Sequence, residues 1–123
     1  MLPMKLQFKP LTTGLGFSQD WPAFVRQIPL GASGVYVIRD HLSGSVHYVG
    51  ESHTGRLRKT FLRHFQAWTG KTAGPTFSRW NTEAALIVTP PGEAVALQNR
   101  LIVAHQPTKN TISPAGPLNE DPF

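Results

Sequence analysis

The sequence contains no cysteine. Disulfides and thiolate metal sites are thereby excluded, and a reducing compartment is allowed. No apolar run approaches the roughly 20 residues that a membrane-spanning helix needs. The start, MLPMKLQFKP, lacks the long apolar segment of a signal peptide. A cytoplasmic protein with no membrane partner is the expectation. Repeats and long linkers are also missing. Acidic residues are scarce: seven Asp+Glu against twelve Lys+Arg leave a net charge of +5 on 123 residues. That imbalance points to an anionic partner, nucleic acid ahead of a membrane surface. With 40% hydrophobic and only 15% charged residues the chain is globular rather than disordered. Its length suits one domain, residues 1–123, with a modest core.

The clearest local signal is GVYVIRDHLSGSVHYVG, residues 34–50. Two β-rich runs flank the turn-forming DHLSGS and predict a hairpin. Alternation places Val35, Val37 and Arg39 on one face of the first strand and Tyr36 and Ile38 on the other. Upstream, MKLQFKPL reads as a first strand and SQDWPAFVRQI as a short helix, with Ser18 or Asp20 as cap and Pro22 in its first turn. Downstream, TGRLRKTFLRHFQAWTG carries Leu57, Phe61, Phe65 and Trp68 as one apolar stripe at helical spacing. Thr54 is expected to cap that helix and Gly70 to end it. EAALIV reads as a further strand. TPPGEAVALQNRLIVAH reads as a helix entered through Thr89 and two prolines, with Ala94, Leu97, Leu101 and Ala104 buried. The Pro-rich tail, residues 111–123, is expected to lie over the surface. The order predicts an α+β domain, a small three-stranded, mainly antiparallel sheet flanked by helices.

Alone, GVY and YVG read as strand-end glycines and tyrosines that serve turn geometry and packing. Together across a hairpin, and followed by a basic helix with RHF and by LQNRLIVAHQPTKN, they resemble the GIY-YIG nuclease family over residues 34–110. Val35 and Val49 stand where the two motifs name isoleucine.

The resemblance implies a metal-dependent DNA endonuclease that uses activated water, with Mg²⁺ or Mn²⁺ neutralising phosphate charge. Tyr36 and Tyr48 match the motif tyrosines, one of which serves as base or water-positioning group. A free tyrosine, with a pKa of about 10, needs a nearby cation or metal for that task. For the phosphate-binding arginine, ungapped counting from Gly50 gives Arg58. A helical wheel puts Arg56 nearer His64, about 80° away against about 120°. Arg56, Thr60, Arg63 and His64 would then share one polar face, so Arg56 is the choice and Arg58 the reserve. The place four residues before the histidine, where the family commonly has arginine, holds Thr60. His64 suits a phosphate ligand or proton shuttle. Ser52, His53, Arg58, Lys59, Arg63 and Asn110 are candidate nucleic-acid contacts; His41, His47 and His105 read as structural or surface. The family's metal-binding glutamate lies three residues before the LI pair and twelve before the asparagine, and here that place is Gln98. Carboxylates are the natural ligands of hard divalent ions, and an amide is weaker. Glu93 lies about 140° from Gln98 on the helix, and its place in the first turn suits the helix dipole. Glu51, just after YVG, is the better-placed rescue.

Three functions follow: an active endonuclease; a nucleic-acid-binding module weakened by Gln98; and a small basic adaptor that binds protein through its tail. Duplex, single-stranded and branched DNA are all open as substrates, and a targeting partner fits a domain with no separate recognition module.

Overall fold

A computed structural model describes residues 6–12, 21–65 and 77–108. Ser18, Asp20, Trp68, Gly70, Asn110, the start of MKLQFKPL and the tail lie outside the described residues. The expected hairpin forms from β2 (Ser33–Asp40) and β3 (Val46–Ser52), paired antiparallel with Tyr36 opposite Gly50. Asp40 shapes the turn. Its carboxylate accepts the amide protons of Leu42 and Ser43 at 3.0 and 2.8 Å, and Gly44 takes φ +75°. Those bonds, the Ser43 amide first, hold the Asp40 carboxyl below the ordinary carboxylate range.

β4 (Thr82–Thr89) pairs antiparallel along the other edge of β2, and β1 (Lys9–Pro10) adds to β4. The sheet therefore has four strands in the order β1-β4-β2-β3, not three. The additional strand lies within MKLQFKPL, read from the sequence as a first strand, and pairs through two residues, opposite Glu83 and Ala84. Glu83 ties the sheet laterally, accepting from Arg39 at 2.7 Å and His41 at 3.0 Å. Burial pushes its carboxyl up, but the bonds from Arg39 and His41 outweigh burial and hold it below its ordinary value.

The pleat divides the core. Tyr36 and Ile38 pack with Leu11, Val25, Leu57 and Phe61 on the face covered by α1 (Ala23–Arg26) and α2 (Leu57–Arg63). Val35, Val37 and Val49 pack with Ala94, Leu97, Leu101 and Ile102 under α3 (Pro91–His105). Ala104, expected in the α3 stripe, is exposed; Gln98 and Ile102 are buried instead, so the buried arc lies nearer the middle of the helix. No described helix is long and apolar enough to cross a membrane.

Helix α2 starts at Leu57, and Thr54 does not cap it. Hydroxyls from the strand ends hold the preceding loop: Ser33 Oγ accepts from the Gly55 amide at 3.0 Å and Ser52 Oγ from the Arg56 amide at 3.1 Å. Gly55 sits at φ +77°.

Two glycines admit no side chain. At Gly34, with φ +155°, a Cβ would lie 2.0 Å from the Ile87 carbonyl oxygen. At Gly50 it would lie 2.3 Å from Tyr36 Cζ, because the Tyr36 ring lies across β3 there. Gly50→Ala is expected to lower unfolding free energy by about 1–3 kcal/mol, the cost of overpacking. Gly92→Ala, in open space in the first turn of α3, should be neutral or stabilise by up to about 1 kcal/mol. Denaturant unfolding of both variants checks this; equal stability for the two would contradict the packing of Tyr36 on Gly50.

Candidate functional site

Tyr36, Tyr48 and His64 meet on the α1–α2 face. β2 presents Tyr36, and Tyr48, opposite Ile38 on β3, projects from the same side. His64 caps the C-terminus of α2 and swings under the sheet. The Tyr36 hydroxyl and His64 Nε2 lie 2.7 Å apart in a hydrogen bond, with the two residues 0% and 1% exposed. The Tyr48 and His64 rings are 4.8 Å apart, and the Tyr36 and Tyr48 rings stack at 6.2 Å. Phe77 packs against Tyr48 and His64, and its amide donates to the His64 carbonyl at 2.6 Å. Tyr48 alone of the three is half-exposed.

The arginines are placed otherwise. Arg56 is the N-cap of α2, outside the helix at φ −128°, ψ 32°, so the wheel angle that favoured it does not apply. Its Nε donates to Thr54 Oγ1 at 3.3 Å. The expected polar face of α2 is not solvated either: Thr60 and His64 are buried in the core. Arg58 turns toward α1 and donates to the Arg26 carbonyl at 2.7 Å. Arg58, Lys59 and Arg63 line an open groove of about 510 Å³ with Arg26 and Trp21. Arg26 was not singled out in the sequence; the register of α1 against α2, which brings it there, has no local sequence signal.

Ser52 is fully buried with its hydroxyl engaged by the loop amides. His53 Nδ1 bonds the Glu51 carboxylate at 3.0 Å; with an ionised acceptor that nitrogen carries the proton. Glu51 is buried and lies opposite Val35 in the ladder, a residue of the α3 face. His47 stacks on Phe77 at 5.6 Å, and His105 lies exposed at the end of α3.

Gln98 is not a solvated helix residue. It is 6% exposed, and its Nε2 is closed off without a hydrogen-bond partner among the described residues. Its helix packs on the face opposite the tyrosine–histidine trio. Asn99 Oδ1 is likewise unpartnered, but adjacent helical residues point about 100° apart, so the two amides do not converge. Among the described residues no three His, Cys, Asp or Glu side chains come together as a metal site. The described donors, an amide and a histidine-paired carboxylate, do not by themselves fit a Mg²⁺ or Mn²⁺ ion, which favours several carboxylate or water oxygens.

No protein-family model matches this chain, and no curated protein does.

The chemistry within reach of the trio is proton exchange between a phenol and an imidazole, with Tyr48 at the solvent side. Tyr36→Phe removes the hydroxyl partner of a buried ring nitrogen and is expected to cost about 1–3 kcal/mol in unfolding free energy. In a double-mutant cycle with His64→Phe the coupling should be about 1 kcal/mol or more. A coupling near zero would mean that the two side chains stabilise the fold independently.

Proposed function

We propose that this protein is a nucleic-acid-binding domain of the GIY-YIG type in which the phosphodiester-cleaving centre is incomplete. One observation carries the reading. Gly50, Tyr36 and His64, drawn from three separate motifs, interlock at one point, yet the Tyr36–His64 pair is shut off from solvent. The interlock supports the family reading, because the motif glycine is the residue that lets the motif tyrosine lie across β3. The closure supports loss of catalysis, because a group that attacks or protonates a phosphodiester must reach it. Gln98 adds to this: the family's carboxylate position holds a buried amide. The net charge of +5 supports an anionic partner.

A second reading, an active Mg²⁺- or Mn²⁺-dependent endonuclease, draws on Tyr48. Tyr48 is partly exposed beside His64, which is where a substrate-facing base would stand.

Two measurements on the full chain separate the readings. DNA affinity should fall about a hundredfold between about 50 and about 200 mM salt, the slope for some four phosphate contacts. Single-stranded, duplex and branched DNA incubated with Mg²⁺ or Mn²⁺ should stay intact. Cleavage that EDTA abolishes, and that Tyr48→Phe or Arg56→Ala removes while binding persists, would establish the endonuclease. Cleavage gained only in Gln98→Glu would locate the deficit in that side chain. No salt-dependent affinity at all would leave the protein-binding adaptor.

A further inference from the structure

The groove between α1 and α2 lies along the helix that ends in His64, and its described lining is one-sided in charge. Arg26, Arg58, Lys59 and Arg63 line it, and among the described residues no acidic one does. Two of these guanidiniums are held by neutral partners: Arg58 donates to the Arg26 carbonyl at 2.7 Å, and Arg26 Nε donates to the Trp21 carbonyl at 2.7 Å. Carbonyl contacts fix their positions without cancelling their charge. Described carboxylates engage elsewhere: Glu83 with Arg39 and His41, Glu51 with His53, and Asp40 beside His47. Arg26, Arg58 and Lys59 have no such partner among the described residues.

Between the cations the lining is apolar. Trp21, Val25, Leu30 and Leu62 supply it, and Leu30 is 74% exposed at the lip. A fifth cation, the Arg79 guanidinium, lies 3.9 Å over the Trp21 ring. An occupant must therefore carry repeated negative charge and also present an apolar surface. A DNA duplex meets the first condition only, since its bases are stacked inside. An unpaired strand meets both: phosphates face the cations while base and sugar faces cover the apolar lining. The volume of about 510 Å³ lies within the range of small-ligand clefts.

The geometry points to this α1–α2 groove as the binding site for an unpaired nucleic-acid strand, with Lys59 and Arg58 on phosphate and Leu30 against a base. The inference rests on the nucleic-acid reading above and names the strand form and the surface that takes it.

Fluorescence anisotropy with a short single-stranded oligodeoxynucleotide and with its duplex tests it on the full chain. The single strand should bind about tenfold more tightly than the duplex. Lys59→Glu should weaken it about tenfold and lower the salt slope by about 0.7, one single-strand phosphate contact. Leu30→Ser should weaken the single strand about threefold and leave the duplex unchanged. Both side chains are exposed, so both variants are expected to fold; circular dichroism checks that. Arg100→Glu, the same charge reversal on α3 across the sheet, should leave affinity within about twofold. Equal losses in Lys59→Glu and Arg100→Glu would overturn the groove in favour of a diffuse field. So would duplex affinity equal to or above that of the single strand. In either case the binding function would stand. Absence of nucleic-acid binding by the unaltered chain would instead remove the function reading itself. Binding to anionic phospholipid vesicles in its place would assign the groove to a membrane surface.

Discussion

The hydrogen bond from Tyr36 to His64 organises one whole face of the molecule. For the phenol to reach the imidazole, its ring must cross β3, and the crossing point is Gly50. Any Cβ there would occupy the volume of the ring. The bond also fixes where α2 ends, because His64 is its C-cap and carries the contact that draws the helix under the sheet. Phe61, one turn earlier, packs edge-on against Tyr36 at 5.5 Å. A fully buried phenol and imidazole left apart would each cost an unmade hydrogen bond, on the order of 1–3 kcal/mol. Aromatic packing alone imposes no such penalty and tolerates more than one arrangement. The polar pair therefore makes the position of α2 specific.

The same alternation that puts Tyr36 on the α2 face puts Val35 and Val37 on the α3 face. Adjacent residues in a strand cannot share a side. A helix that packs on the valines is therefore separated from the tyrosine hydroxyl by the thickness of the sheet. Gln98 inherits that separation. A buried carboxylate in its place would need a cation or several hydrogen-bond donors to remain charged. Among the described residues the strand carboxylates on that face are Glu51, which His53 already holds, and Glu83, which Arg39 and His41 hold. An amide is the neutral residue such a position tolerates, even with its Nε2 unpartnered.

Much of the fold was legible because its signals are local. The hairpin followed from two β-rich runs and an Asp–Gly-bearing turn, and the strand faces from a period of two. The β4–α3 unit followed from a short β run and a proline-led amphipathic segment. What escaped depended on non-local geometry. Thr54 looked like a cap, but Ser33 and Ser52, from two different strands, held the loop amides and delayed the helix to Leu57. That delay put Arg56 outside the helix and voided its wheel angle. Thr60 and His64 are polar and read as one face with Arg56 and Arg63, but both are buried. Arg26 needed the docking of two helices that no short window encodes. Ala104 belonged to the expected stripe by spacing, yet α3 leaves the sheet before it.

The distribution of acids decides what the positive charge can do. Seven acidic residues against twelve basic ones can spread evenly or segregate. Four of the seven lie among the described residues, and they are Asp40, Glu51, Glu83 and Glu93. Three of these are committed to the turn, to His53 and to Arg39 with His41, and Glu93 stands in the first turn of α3, where its charge suits the helix dipole. None lines the α1–α2 groove. Arg26, Arg58 and Lys59, which have no carboxylate partner among the described residues, consequently act together on whatever approaches from solvent, because cations in a concave surface focus their field. Groove and buried pair share a helix, since α2 carries Arg58, Lys59 and Arg63 outward and ends in the His64 cap that points inward. The Tyr36–His64 bond therefore sets the position of the helix that presents the charge. In this arrangement the motif tyrosine and histidine anchor the helix whose other side presents Arg58, Lys59 and Arg63 to the groove.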